Sequence, residues 1–306
     1  MTTPDLTGKT ALITGSARGM GRVTALALAG MGARIIVVDW EGEEGTRTRD
    51  LLNARFGPHH ADGRAAEFLY CDVSSMAEVR QLAATVQARY PALHILVNNA
   101  GITDPVRRLS VDGWEMHLAT CHLGHFLLTH LLLDLLKASA PARIVNISSD
   151  AHKAGPGLDF DDINNEKIWK GAAFSNNASF AAYHRAKLCN VYFTQELAAR
   201  LAGTGVTVNA VSPGYFVNTT IYRNLRGVFK WGSLLVFNVG TLLGLNTPEK
   251  GARTHIHMAS SPEVAAVTGA YYAYCRPAEV SKQARDVEAQ LRLWTFSERV
   301  TGLAGG

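Results

Sequence analysis

The chain has 306 residues, of which 47% are hydrophobic and 18% charged, and its formal net charge is +4. That composition belongs to a folded globular protein and excludes a disordered one. There is no Lys/Arg run and no basic stripe interleaved with aromatics, so nucleic acid is excluded as an expected partner.

The opening stretch, "MTTPDLTGKTALITG", has no charged segment leading into a long apolar run and does not read as a secretion signal. Four cysteines, Cys71, Cys121, Cys189 and Cys275, lie far apart without a CxxC pair. That spacing fits a reducing compartment, and a cytoplasmic location is expected.

The first apolar β-rich run, "TALIT" (10–14), leads into "TGSARGMG" (14–21) and then a helical pattern, "RVTALALAGMGA" (22–33). Glycines on a strand-to-helix turn let the backbone approach a pyrophosphate, and the helix N-terminus offers it free N–H groups. A glycine-rich turn is weak evidence alone, because many loops need glycine for positive φ. Here it follows the first strand and opens a helix, as the mechanism requires. Gly15, Ser16, Arg18, Gly19, Met20 and Gly21 are the candidate dinucleotide residues.

The second run, "RIIVVD" (34–39), ends in Asp39, 18 residues after Gly21. An acid there accepts hydrogen bonds from the adenosine ribose and repels a 2′-phosphate, which favours NAD over NADP. Arg18 is the counter-signal, since its guanidinium can bind a 2′-phosphate.

Further strands are expected at "EFLYCDV" (67–73), "HILVNNAG" (94–101), "RIVNISS" (143–149), "VTVNAVSPG" (206–214) and "GAYYAYC" (269–275). The runs are mostly continuous rather than alternating, so both faces should be buried. Alternation with helical patterns predicts an α/β fold, a doubly wound parallel sheet of about seven strands with helices on both faces. No linker or internal repeat divides the chain, so 1–306 reads as one domain.

Two segments break the rhythm. Residues 150–180 are polar and rich in Gly, Asn and Asp, and read as a long loop. Residues 215–247 are aromatic and aliphatic with little period, and read as a substrate lid. Both follow strands, and ligands of such sheets bind beyond the strands' carboxyl ends. The uncharged run "WGSLLVFNVGTLLGLNTP" (231–248) contains Asn238, Asn246, three glycines and a proline, and makes a poor spanning helix. A buried or lid helix is expected, with a helix resting on a membrane surface as the alternative.

In "SFAAYHRAKLCNVYF" (179–193), Tyr183 and Lys187 stand four apart, on one face of a helix. A free phenol has a pKa of about 10. A neighbouring ammonium stabilises the phenolate and brings the group toward the working pH of a general acid/base.

His117, His122, His125 and His130 crowd one helical stretch, but they spread over more than one face and no HExxH pattern occurs. Packing or a subunit interface is expected of them, and no metal. His255 and His257 read as surface or packing residues.

"TGSARGMG", "CDV" (71–73), "NNAG" (98–101), Ser148–Ser149, "YHRAK" (183–187) and "SPG" (212–214) occur in the order seen in short-chain dehydrogenases/reductases. The chain resembles that superfamily over nearly its whole length. "CHLGHFLLTHLL" (121–132), "LCNVYFTQELAARLAGTGVTVNAVSPG" (188–214) and "LWTFSERVTGL" (293–303) resemble its retinol dehydrogenase-like branch.

The resemblance implies a Rossmann-type domain binding NAD, with NADP as the alternative. It implies Asp72 at the adenine ring with Val73 nearby, and Asn98 with the turn Asn99, Ala100 and Gly101 supporting the adenosine side. Pro213 and Gly214 would approach the nicotinamide. Lys187 would hold the nicotinamide ribose, and Ser149, the second serine of its pair, would hold the substrate oxygen while Tyr183 moves the proton.

Three departures stand out. Cys121 replaces the asparagine of the usual "NHLGHF", the gap between Ser149 and Tyr183 is long, and "PGYFVNT" holds one extra residue before Thr219.

The expected reaction is hydride transfer between NAD(H) and a lipophilic secondary alcohol or ketone, since an aromatic and aliphatic roof suits an apolar substrate. Packing of those side chains on a second copy of the chain is the alternative use. The alternative functions are an NADPH-dependent carbonyl reductase and a degenerate dinucleotide-binding scaffold or sensor.

Overall fold

The computed structural model describes residues 4–155, 157–171, 174–214 and 247–303. The lid expected at 215–247, with Thr219, lies outside the described residues apart from Thr247.

Among the described residues one sheet of eight strands runs in the order β3-β2-β1-β4-β5-β6-β7-β8. Its strands are β1 (Thr10–Thr14), β2 (Arg34–Asp39), β3 (Ala66–Tyr70), β4 (Ile95–Asn98), β5 (Ala142–Ile147), β6 (Val206–Ser212), β7 (Tyr271–Ala273) and β8 (Arg276–Pro277). The first seven pair in parallel, in registers such as Ile13↔Val37 and Ile13↔Val97. β8 is an antiparallel addition across the Tyr274–Cys275 turn. At two residues it carries no readable pattern, which explains the expectation of about seven strands.

The continuous apolar runs divide by strand alternation into two cores. Leu12, Ile36, Val38, Leu96, Ile144 and Val208 face one side. There they meet α3 (Met76–Arg89), α5 (Gly124–Leu131) and α7 (Asn176–Arg200) through Val79, Leu82, Phe126 and Phe193. Ile13, Ile35, Val37, Val97, Val145 and Val211 face the other. They meet α1 (Gly19–Gly30) and α8 (Pro248–Ser260) through Leu28 and Met258. The remaining helices among the described residues are α2 (Gly42–Phe56), the short α4 (Met116–Leu118), α6 (Leu133–Ala138) and α9 (Val287–Val300). Between α4 and α5 the chain widens into a π-helical turn, Ala119–Leu123.

Strand ends fall short of the apolar runs where polar groups recruit the backbone. β3 stops at Tyr70, because Asp72 turns the chain by accepting from the N–H (2.9 Å) and hydroxyl (2.8 Å) of Ser74. β4 stops at Asn98, because the N–H of Asn99 donates to the Thr14 hydroxyl at 2.9 Å. The expected loop 150–180 contains two 3-10 turns, Asp150–Lys153 and Phe160–Asp162. α7 already starts at Asn176, capped by Ser175, whose hydroxyl accepts from Ala178 N at 3.1 Å.

β1 sits where the strand order reverses, with β2 on one side and β4 on the other. That switch point opens a crevice beyond the carboxyl ends of the strands. Among the described residues no helix is long and apolar enough to cross a membrane.

Candidate active site

A cleft of about 450 Å3 occupies that crevice. Gly15, Arg18, Gly19, Met20, Gly21, Asp39, Asp72, Val73, Asn99, Ala100, Gly101, Tyr183, Lys187 and Pro213 all line it.

The floor is the β1–α1 turn. Gly15 and Gly19 have φ of +64° and +55°, the left-handed region that favours glycine. A methyl group on Gly21 would strike the Gly15 carbonyl and come within 2.6 Å of Asn99 Nδ2, so the first turn of α1 packs directly on the turn below it. No side chain caps α1 and no acid stands in its first turn. Its N–H groups and positive dipole end are therefore available to an anion.

Asp39 ends β2 and is buried. Its carboxylate accepts from Ala17 N (2.9 Å) and Glu41 N (3.1 Å). Burial raises its pKa from the ordinary value, and those two N–H bonds oppose the rise. Arg18 pairs with Glu41 at 2.7 Å and Glu44 at 3.5 Å, so acids claim the cation expected near a 2′-phosphate.

The wall beside β4 is the turn Asn99–Gly101. Asn99 Nδ2 donates to the carbonyls of Thr14 (2.8 Å) and Gly15 (3.0 Å), tying that turn to the floor. Asn98 points into the core instead, donating to Thr129 Oγ1 (2.9 Å) and Asn146 Oδ1 (2.8 Å).

The far end carries α7. Lys187 is 2% exposed, and its Nζ donates to the Ile147 carbonyl at 2.8 Å. It also stands 5.4 Å from the ring centroid of Tyr183. Burial pulls the Lys187 pKa down, while nearby Cys121 opposes the shift. Cys121 is fully buried. A methyl group on Gly101 would lie 3.6 Å from both Cys121 Sγ and Lys187 Nζ, so thiol and ammonium flank one backbone position.

Three candidate residues stand off this wall. Ser16 is fully buried, donating to the Ile13 carbonyl (2.7 Å) and accepting from Val38 N (3.1 Å), so it braces β1 against β2. Ser149 starts the Asp150–Lys153 turn, its hydroxyl accepting from Ala151 N at 3.1 Å, and its neighbour Ser148 lines the cleft. The Ser148 hydroxyl donates to the Lys187 carbonyl at 2.7 Å. Gly214, at φ +90°, lies against the Tyr274 ring beside Pro213.

Sequence reading missed Trp40, Cys71, Ile102, Arg108, Met116 and Thr120 on the wall. Trp40 carried a signal, a large aromatic directly after Asp39, and it is 55% exposed. It also missed Asn190, whose amide shares the Ile147 carbonyl with Lys187 at 3.0 Å. Their spacing of three on α7 was legible as one face.

The histidines go to separate places. His117 pairs with buried Glu115 (2.6 Å), His122 meets Ser297 Oγ (2.8 Å), and His130 meets the Phe126 carbonyl (2.8 Å). His255 is fully buried on α8, and His257 packs near Tyr272. Among the described residues no cluster of His, Cys, Asp and Glu could hold a metal.

The uncapped helix over a glycine turn, the acid at the adenosine end and the phenol–ammonium pair fit a nicotinamide dinucleotide. Chemistry in such a cleft is that of an NAD(P)-dependent oxidoreductase. Residues 9–158 match the sequence profile described as short chain dehydrogenase, and the chain belongs to that superfamily, in its retinol dehydrogenase-like branch.

Human retinol dehydrogenase 14 is 41% identical over 97% of this chain and 87% of its own length. Human retinol dehydrogenase 13 is 38% identical over 97% and 85%. Among solved structures, an uncharacterized protein from Mycobacterium paratuberculosis is similar with a TM-score of 0.73 and 29% identity, covering 98% of this chain and 96% of that one. The RhlG/NADP active-site complex of Pseudomonas aeruginosa is similar with a TM-score of 0.67 and 27% identity, covering 89% and 97%.

Proposed function

We propose that this protein is an NAD(H)-dependent oxidoreductase acting on a lipophilic secondary alcohol or ketone. The observation that carries the reading is the buried Lys187 ammonium beside the Tyr183 ring, in the same cleft as the glycine turn and Asp39. When bound, the nicotinamide supplies the hydride acceptor. Gly15, Gly19 and Gly21 admit the pyrophosphate, and Asp39 accepts the adenosine ribose hydroxyls. Asp72 and Val73 flank the adenine, and Pro213 bounds the nicotinamide end. Tyr183 takes the proton from the substrate hydroxyl, with the Lys187 ammonium favouring the phenolate. Ser149, next to the cleft-lining Ser148, is given the substrate oxygen on the strength of the family resemblance, its hydroxyl retaining a proton to donate while it accepts from Ala151 N.

Asp39, with Glu41 and Glu44 gathered around Arg18, supports NAD over NADP. The apolar 215–247 sequence and the retinol dehydrogenase relatives support an apolar substrate, a retinoid, steroid or fatty alcohol. Saturation curves with NAD+ and NADP+ against a panel of apolar secondary alcohols test the reading. A preference for NADP+ removes the role given to Asp39.

The buried Cys121 beside Lys187 favours one second reading, a dinucleotide-binding scaffold or sensor with impaired turnover. A thiol is a weak hydrogen-bonding group where relatives carry an amide. Tight NAD+ binding without turnover on the whole panel supports the scaffold, whereas a gain of turnover in Cys121→Asn marks an impaired enzyme.

A further inference from the structure

Thr14, at the end of β1, is fully buried, and its hydroxyl oxygen accepts the N–H groups of Asn99 (2.9 Å) and Ala100 (3.0 Å). With both lone pairs filled, that hydroxyl can only donate further. His125 Nε2 is 2.8 Å away, against 3.5 Å for the Val97 carbonyl. Nε2 is therefore the acceptor. At the other end of the ring, Nδ1 stands 3.2 Å from the Cys121 carbonyl, which can only accept. Nδ1 therefore carries the proton. The two ends impose the same neutral tautomer independently. Burial agrees, pulling the His125 pKa down to about 4.

Both ends of this relay lead to the cleft. Asn99 and Ala100 form its wall, and the Asn99 amide holds the glycine turn. Cys121 lies in the π-helical turn Ala119–Leu123, with its thiol beside Lys187 across Gly101. We propose that His125 is a positioning residue that ties the dinucleotide turn to the wall beside Lys187, fixing both at once. This rests on the reading of the cleft given under Proposed function. It gives the Cys121 position a second support that does not depend on its side chain.

The two arms separate by substitution. His125→Gln places an acceptor where Nε2 stands and gives up the donor to Cys121. His125→Asn places a donor where Nδ1 stands and gives up the acceptor for Thr14. In the full chain, His125→Asn is expected to weaken NAD+ binding by about tenfold while kcat falls by no more than about threefold. His125→Gln is expected to lower kcat by about tenfold while the Kd for NAD+ stays within about threefold.

Circular dichroism melting verifies that both variants fold. The 15N shifts of the imidazole in the parent protein report the tautomer, expected to be protonated at Nδ1, and decide the matter alone if neither variant folds. Equal losses in both variants, or a parent ring protonated at Nε2, overturn the proposal. If the parent binds NAD+ but oxidises no apolar alcohol, the functional reading fails, and the difference in NAD+ affinity between the two variants still decides the role of His125.

Discussion

Lys187 approaches Tyr183 over the ring, with Nζ 5.4 Å from its centroid, while the same ammonium donates to the Ile147 carbonyl at 2.8 Å. The carbonyl holds the charge in place beside the Tyr183 ring. This arrangement is costly to the fold, because a buried ammonium with no carboxylate partner among the described residues forgoes its hydration. Lys187→Met is expected to abolish turnover yet raise the free energy of unfolding at pH 7 by on the order of 1 kcal/mol. The folded-state pKa of Lys187 is lowered, so in the window between it and the ordinary lysine value of about 10.4 the unfolded chain binds more protons. Its contribution to stability therefore rises with pH through that window. Urea melts of parent and variant from pH 7 to pH 10 measure both effects, and the gap between them should narrow as pH rises.

On the proposed reading, Asp39 sets the dinucleotide preference. Asp39→Asn keeps an acceptor oxygen for only one of the Ala17 and Glu41 N–H groups, which bond different carboxylate oxygens, and removes the negative charge that opposes a 2′-phosphate. NAD+ affinity is expected to fall by about tenfold, and discrimination against NADP+ to shrink by a similar factor. Titration of both dinucleotides into parent and variant measures the change.

Gly21 tests the close approach of helix and turn. A methyl group there meets the Gly15 carbonyl and Asn99 Nδ2, neither of which can retreat without opening the β1–α1 turn. Gly21→Ala is expected to cost about 1–3 kcal/mol of stability and to weaken NAD+ binding. Gly42→Ala, in α2 where a methyl group meets nothing within 4 Å, is the control and should leave NAD+ binding unchanged without any loss of stability.

The dinucleotide half of the cleft was legible in sequence because its chemistry is local. "TGSARGMG" carries turn and helix start in eight residues, and Asp39 simply ends an apolar run. The pair Tyr183 and Lys187 was legible for the same reason, since helix geometry brings residues four apart together. What escaped depends on long-range contacts. Thr14 and His125 are 111 positions apart, and nothing near either signals the other. Ser148 and Ser149 are neighbours, and only the direction in which β5 ends decides which faces the cleft.

Within the 150–180 segment a few polar residues, Asp162 and Asn165 among them, are buried, although Lys153, Asp161, Glu166, Lys167 and Lys170 are exposed. Asn165 Nδ2 donates to buried Glu115 at 3.2 Å, and Arg185 on α7 donates to Asn165 Oδ1 at 3.0 Å. At Asn165 polarity marks a buried network, which nothing in the local sequence distinguishes from the exposed polar residues around it.

The central claim is that the Tyr183 phenol moves the proton, and Tyr183→Phe tests it most directly. Phenylalanine keeps the ring beside Lys187 and removes only the hydroxyl. With NAD+ and an apolar secondary alcohol that the parent oxidises, the variant should bind NAD+ with an unchanged Kd and form NADH about 10²–10⁴ times more slowly. NADH formation at the parental rate by Tyr183→Phe would contradict the account.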